Sequence, residues 1–393
     1  MKSTILTITA VAGLSLAAAA STPYDDVVKA VIANNPGLAS RAAGAQASAM
    51  EGDVENTISG PELDFEHLWG HGTDDTRWSA SVSQEFQWPG VYRARSQANG
   101  LRHQATDELI YGMTCDQALS AKLLIIDIIN ANSRVKLYTE IGEDLRRVAD
   151  LTDRAYQLGE ATILDQRKMQ LAVLDSEREI SLARNDLAAL VASLDAMGAD
   201  VDAASLADWT AYPTQALVRP SLDPQDYYQY RVGTLSAAAS RREADAIKLQ
   251  AIPTFSLGYV HSFEERTHFN GLSVSITLPS FSQSKRRKMA ALQAQSESLQ
   301  WDDELIMAMA EARGLYDSAL SIKGSVEDYT RLSGDNSYLD LLKQAFDGGE
   351  LTVIDYITEV NLYRRSRLDY LDLLYRYNTA VARLNRYNTP LFN

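Results

Sequence analysis

The sequence predicts a mainly α-helical chain with a small β part, built from two tandem copies of a helix, β-hairpin and long helical hairpin. Three observations predict this fold class. The chain matches itself when shifted by 190 residues. Four short segments alternate apolar and polar residues, and two very long segments carry helical periodicity.

The shift is clearest at two turns. AYQLGEATILD (155–165) lies over AFDGGELTVID (345–355), with Ala, Gly, Glu, Thr and Asp coinciding. The same shift puts Pro89 on Pro279, Phe86 on Ile276 and Phe65 on Phe255. Each copy then reads in one order. An Ala-rich helical stretch comes first (25–57 and 225–250), followed by two strand segments (61–70 with 76–88, and 253–263 with 270–279). A long helix (90–156 and 282–346) and a return helix (162–196 and 352–388) complete the long helical hairpins, 90–196 and 282–388. The first repeat is placed at 21–196 and the second at 223–393. Residues 197–222, with Pro213 and Pro220 and few periodic apolars, read as a linker or equatorial region.

The first twenty residues read as a secretory signal. Lys2 supplies the positive start, Ile5 to Leu16 the apolar stretch, and Ala18 and Ala20 the cleavage site before Ser21. No apolar run of helix-spanning length is expected after it, so any membrane passage must use a closed β-barrel. Of 393 residues 46% are hydrophobic, which excludes a disordered composition. The net charge of −15 argues against nucleic-acid binding, which needs a basic footprint. With Cys115 the single cysteine, no intrachain disulfide can form, and Cys115 reads as a packed small residue.

The strand segments have the pattern of membrane strands. Trp78, Ala80, Val82, Phe86 and Trp88 oppose Ser79, Ser81, Ser83, Glu85 and Gln87. Leu272, Val274, Ile276 and Leu278 oppose Ser273, Ser275 and Thr277, and the other two segments alternate likewise. A soluble sheet with one wet face gives the same alternation. Segment length and the aromatics Trp69, Trp78, Trp88, Tyr259 and Phe263, read as membrane-interface residues at strand ends, favour an outer-membrane barrel. Four strands cannot close a barrel, and a homotrimer would pool twelve.

The helices are long enough to cross a compartment. Residues 282–346 would span roughly 100 Å if continuous. Trp301, Leu305, Ala308, Ala312, Leu315, Ala319, Ile322, Val326 and Tyr329 alternate spacings of four and three, the coiled-coil pattern. Tyr138, Ile141, Leu145, Val148, Thr152 and Ala155 do the same in the first copy. Gly334 and Asn336 predict a kink or short break.

On these residues the chain resembles the TolC-like outer-membrane efflux proteins over nearly its whole length. The carriers are the duplication, the strand pairs and the turns YQLGEATILD and FDGGELTVIDY. QEFQWPGVYRAR resembles the strand-to-helix junction of the cobalt–zinc–cadmium (heavy-metal) branch, although that branch has Gly-Lys-Arg where this chain has Gly90-Val-Tyr-Arg93. The resemblance implies a trimer with a twelve-stranded outer-membrane β-barrel continuous with a periplasmic α-helical barrel. It also implies a periplasmic adaptor protein, docked at the tip, and an inner-membrane pump. Leu158, Gly159 and Thr162 would form one docking turn, and Gly349, Leu351 and Thr352 the other. Asp355 matches an acidic position of the constricted tip, and Asp165 one that pairs with an arginine in relatives. Leu351 stands at that arginine position and Thr358 where a second aspartate is usual, so the family's lock is not reproduced. On the residues alone, both aspartates also read as first-turn acids favoured by the helix dipole.

No catalytic constellation is present, so no enzyme is expected, and no cofactor or metal site. His67, His71, His261 and His268 fall in or beside the hairpin tips and read as exposed loop polarity. Lys285, Arg286, Arg287 and Lys288 read equally as lipid-phosphate contacts or as a solvated helix start. Two rival functions remain at this stage: the same channel serving multidrug or protein export, and a periplasmic coiled-coil structural or adaptor protein.

Overall fold

The computed structural model describes residues 23–69, 76–200, 203–206, 209–213, 216–264, 267–278, 282–333 and 337–388. The expected signal segment, His71, and the expected break at Gly334 and Asn336 lie outside the described residues.

The chain begins with α1 (Pro23–Asn34) and α2 (Pro36–Glu55). Asn35 separates them: its Oδ1 accepts from the Leu38 backbone N–H at 2.8 Å, and Pro36 takes the first helical position, where no N–H is needed. The hairpin β1 (Glu62–Trp69) and β2 (Thr76–Phe86) follows. Trp88, in extended backbone, and Pro89 then start α3 (Pro89–Leu158). At 70 residues α3 is about 105 Å long. It ends at Gly159, where φ of 78° needs the freedom of glycine, and α4 (Ile163–Ala196) returns along it. A short α5 (Ala203–Leu206) lies in the linker, and α6 (Tyr228–Leu249) leads to β3 (Thr254–Glu264) and β4 (Thr267–Thr277). The segment expected as one helix over 282–346 comprises α7 (Gln283–Ser333) and α8 (Ser337–Asp347), and α9 (Val353–Asn388) returns from the second turn.

All four strands form one antiparallel sheet in the order β1-β2-β3-β4. The β2–β3 pairing joins the two copies, with Phe86 opposite Phe255. The repeat is not symmetric here. Phe65 pairs with Ala80, whereas its counterpart Phe255 pairs with Ile276, the counterpart of Phe86. The first hairpin is therefore slid by six positions, from Phe86 to Ala80, relative to the second. The connections also differ in length: six residues separate Trp69 from Thr76, and two separate Glu264 from Thr267.

The core is helical and sits in patches along α3. Beside the sheet, Val91 and Ala94 meet Ala246. Midway, Val28 and Val31 of α1 and Leu194 of α4 close on Ala121, Ile125, Ile128 and Ile129. One face of this stretch of α3 is buried core, and among the described residues α3 is the one helix long and apolar enough to cross a membrane. The linker is tied in here: buried Asn132 donates to the Leu206 carbonyl at 2.7 Å and the Trp209 carbonyl at 3.1 Å. Near the turns, Ile141, Leu145 and Val148 of α3 pack with Met169 of α4, Leu339 of α8, and Tyr356 and Val360 of α9. In the coiled-coil stripe of α7, Ala308, Ala312 and Ala319 are buried, and the larger members are half-buried. The small side chains of the alanines let helices approach closely. No strand residue belongs to any of these clusters.

Candidate functional site: the helical tip and the sheet surface

The two ends of α3 carry the two candidate surfaces. At the far end, α3–α4 and α8–α9 each reverse through a glycine in left-handed backbone, Gly159 at φ 78° and Gly349 at φ 76°. After each turn a threonine caps the returning helix. Thr162 Oγ1 accepts from the Asp165 N–H at 3.1 Å, and the Asp165 carboxylate accepts from the Thr162 N–H at 3.2 Å and from its hydroxyl at 2.6 Å. Thr352 and Asp355 repeat two of these bonds: Thr352 Oγ1 accepts from the Asp355 N–H at 3.2 Å and donates to Asp355 Oδ2 at 2.6 Å. These bonds satisfy backbone donors that the first helical turn leaves free. Hydrogen bonds from the Thr162 hydroxyl and backbone hold the Asp165 carboxyl below its usual range.

Both aspartates thus sit in the first turn of their helices, bonded to their own caps. Apolar side chains surround the turns: Leu158 is 74% exposed, and Ile163, Leu164 and Ile354 are also exposed. Leu351 packs partly buried against the cluster of Leu145, Leu342 and Tyr356.

A polar network lies just beneath the turns. The carboxylate of Asp144, buried on α3, accepts from the Tyr356 hydroxyl on α9 and from Arg147 Nη2 at 3.3 Å. Arg147 Nη1 also donates to Asp347 on α8 at 2.8 Å. Burial, then the Asp144 bond, pushes the Tyr356 phenol far up, so it stays protonated as the donor. Sequence reasoning missed this network. Its one signal was Tyr356, the last residue of the second turn motif.

At the other end, one face of the sheet is apolar and the other polar. Across β1 to β4 the rows of the apolar face are His67–Trp78–Phe263–His268, Phe65–Ala80–His261–Asn270, Leu63–Val82–Tyr259–Leu272, Gln84–Leu257–Val274 and, nearest the helices, Phe86–Phe255–Ile276. Glu62, Asp64, Glu66, Ser79, Ser81, Ser83, Ser273 and Ser275 occupy the opposite face. Leu63, Leu272 and Val274 are 80%, 81% and 69% exposed, so this part of the apolar face is uncovered among the described residues.

Of the five aromatics assigned to strand ends, Trp69, Trp78 and Phe263 lie at the hairpin end and Trp88 at the helix end. Tyr259 does not: it sits in the middle of β3, opposite Val82 and Leu272, and its hydroxyl donates to Asn270. The helix-end row is instead marked by Phe86 and Phe255, with ring centroids 5.6 Å apart. The histidines are also misplaced by the loop reading. His67, His261 and His268 lie within strands, on the apolar face. Among the described residues, no three His, Cys, Asp or Glu side chains are grouped to hold a metal ion.

This architecture is the fold of the TolC-like outer-membrane efflux channels. Solved structures share it at low identity. CusC, described in terms of folding and transmembrane channel formation, superposes with a TM-score of 0.72 at 14% identity, over 92% of this chain and 91% of that one. The outer membrane protein VceC of Vibrio cholerae gives 0.72 at 12%, over 92% and 95%. The CmeC outer membrane channel of Campylobacter jejuni gives 0.71 at 13%, over 93% and 85%. No protein-family model and no curated protein matches the sequence.

Proposed function

We propose that this chain is one protomer of a trimeric outer-membrane efflux channel, a passive export duct and not an enzyme. The observation that carries the reading is the uncovered sheet. Among the described residues its apolar face has no partner, and β1 and β4 each leave one edge unpaired. In water such a surface aggregates; in lipid, closed against copies of itself, it is satisfied. Three chains supply twelve strands, with the apolar face outward and the row of Glu62, Asp64 and Glu66 toward the lumen. The long helices then continue the duct through the periplasm. The fold shared with CusC, VceC and CmeC supports this reading.

The tip is where a periplasmic adaptor engages, and an inner-membrane pump supplies the energy. Leu158, Gly159, Thr162, Gly349, Leu351 and Thr352 form the docking turns, and Asp165 and Asp355 hold those turns in shape as well as lining the tip. Heavy-metal cations are the cargo we favour. Their passage suits the acidic lumen row and the net charge of −15, and the junction QEFQWPGVYRAR resembles the heavy-metal branch.

Membrane fractionation with crosslinking tests the duct. Cysteines on the outer edges of β1 and β4, in a Cys115→Ser background, should link chains into trimers in the outer-membrane fraction. Recovery as a soluble monomer would support a periplasmic coiled-coil protein instead. Cargo is tested by deletion: heavy-metal sensitivity is expected, and unchanged metal tolerance with new sensitivity to detergents or dyes would assign multidrug export.

A further inference from the structure

His261 on β3 and His268 on β4 lie diagonally across the last strand pair, with stacked rings whose centroids are 5.3 Å apart. His261 Nε2 and His268 Nδ1 are separated by 3.3 Å. The other nitrogen of His261 is already committed. Asn270 Oδ1 accepts from the Tyr259 hydroxyl at 2.7 Å and stands 2.7 Å from His261 Nδ1. A carbonyl oxygen only accepts, so His261 Nδ1 carries the proton and donates. His261 Nε2 is therefore the bare nitrogen, with its lone pair directed at His268. A carbonyl that fixes the tautomer and orientation of an imidazole is the usual support behind a metal-ligating histidine.

The geometry points to a two-histidine site for a borderline divalent transition cation, zinc above all, on the apolar face at the hairpin end of β3 and β4. Two nitrogens bound to zinc at about 2.0–2.1 Å with a tetrahedral angle stand roughly 3.3–3.4 Å apart. The observed 3.3 Å matches that span. Without metal, His268 Nδ1–H donates to His261 Nε2. With metal, His268 moves its proton to Nε2, and both lone pairs bind the cation with no net proton released. Imidazole suits zinc, copper and nickel, whereas magnesium and calcium prefer oxygen ligands. Two protein ligands leave coordination positions for water, so the site is a surface staple between β3 and β4. It does not rest on the efflux reading.

The site is tested on the purified full chain in detergent, stripped with chelator and titrated with zinc chloride against a chromophoric competitor. One zinc per chain is expected. His261→Ala and His268→Ala should each weaken binding at least tenfold, and Asn270→Leu about 10–100-fold, the usual cost of losing an outer partner. His103→Ala, remote beside Asp53, should leave it unchanged. Zinc affinity equal in the double variant His261→Ala/His268→Ala and the unmodified protein would overturn the proposal. A second reading needs no histidine variant. The Trp78 ring lies 5.3 Å from His261, so nickel should quench its fluorescence saturably. Quenching of undiminished amplitude in Trp78→Phe would equally overturn the site.

Discussion

The Tyr356 hydroxyl donates to the carboxylate of Asp144, joining the first turns of α9 to the long helix of the other copy. The two residues stand 212 positions apart, and both are buried. Arg147 extends the link to Asp347 on α8, so three helices below the tip share one polar knot. A buried carboxylate is costly unless its acceptors are filled. Tyr356→Phe keeps the ring and removes one donor. It should destabilise the tip by about 1–3 kcal/mol, the usual cost of an unsatisfied buried polar group. Faster proteolysis at the turns would report it. A cycle with Asp144→Asn should show coupling of about 0.5–3 kcal/mol, as residues in one network do. Strict additivity would mean the two side chains do not act together.

Gly349 separates conformation from packing. Its φ is 76°, and a Cβ built there meets no atom within 4 Å. Any effect of substitution is therefore backbone strain or lost docking, not a clash. Gly349→Val should impair export most, Gly349→Ala less and Gly349→Asn least, because asparagine tolerates left-handed backbone. All three should remain trimeric. Wild-type transport by Gly349→Val would remove the turn from the docking surface.

The turns were legible because they are local. Gly159 and Thr162 with Asp165, and Gly349 and Thr352 with Asp355, put left-handed glycines and capping groups within seven positions of one another. The sheet faces were legible from alternation. Register was not. The shift that aligns Phe65 with Phe255 and Phe86 with Ile276 implies like pairing in both hairpins, yet the first is slid by six positions. Each hairpin's own register decides which residues share a row, and that of β3–β4 brings His261 beside His268. The Asp144–Tyr356 bond was illegible for a related reason: nothing near either residue marks a partner in the other copy.

Asp127 gives a pH test. It lines a groove of about 570 Å³ between α3, α4 and α9, where burial raises its pKa and a hydrogen bond with Tyr375 partly opposes the rise. A carboxyl raised on folding contributes stability below its unfolded pKa, and loses it as pH rises through the folded value. Asp127→Asn should therefore be more thermostable than the parent at neutral pH. The gap should close as pH falls below the ordinary 3.8. A gap that stays constant from acid to neutral pH would show that ionisation of Asp127 is not its cause.

The facing of the sheet makes the sharpest test of membrane passage. Leu272 and Ser273 are neighbours on β4, yet they point to opposite faces. Leu272 shares its row with Leu63, Val82 and Tyr259, while Ser273 pairs with Gly258 on the serine face. Arginine near the lipid midplane of a barrel costs about 2–4 kcal/mol, whereas lumen positions accept charge. Three symmetry copies would triple that cost in the trimer. Leu272→Arg should therefore cut the amount of trimer in the outer membrane sharply, while Ser273→Arg should insert normally and change only what the pore passes. Quantifying trimer in outer-membrane fractions of both variants decides it. Equal insertion would mean that neither face meets lipid, and the sheet would then have to be covered by protein.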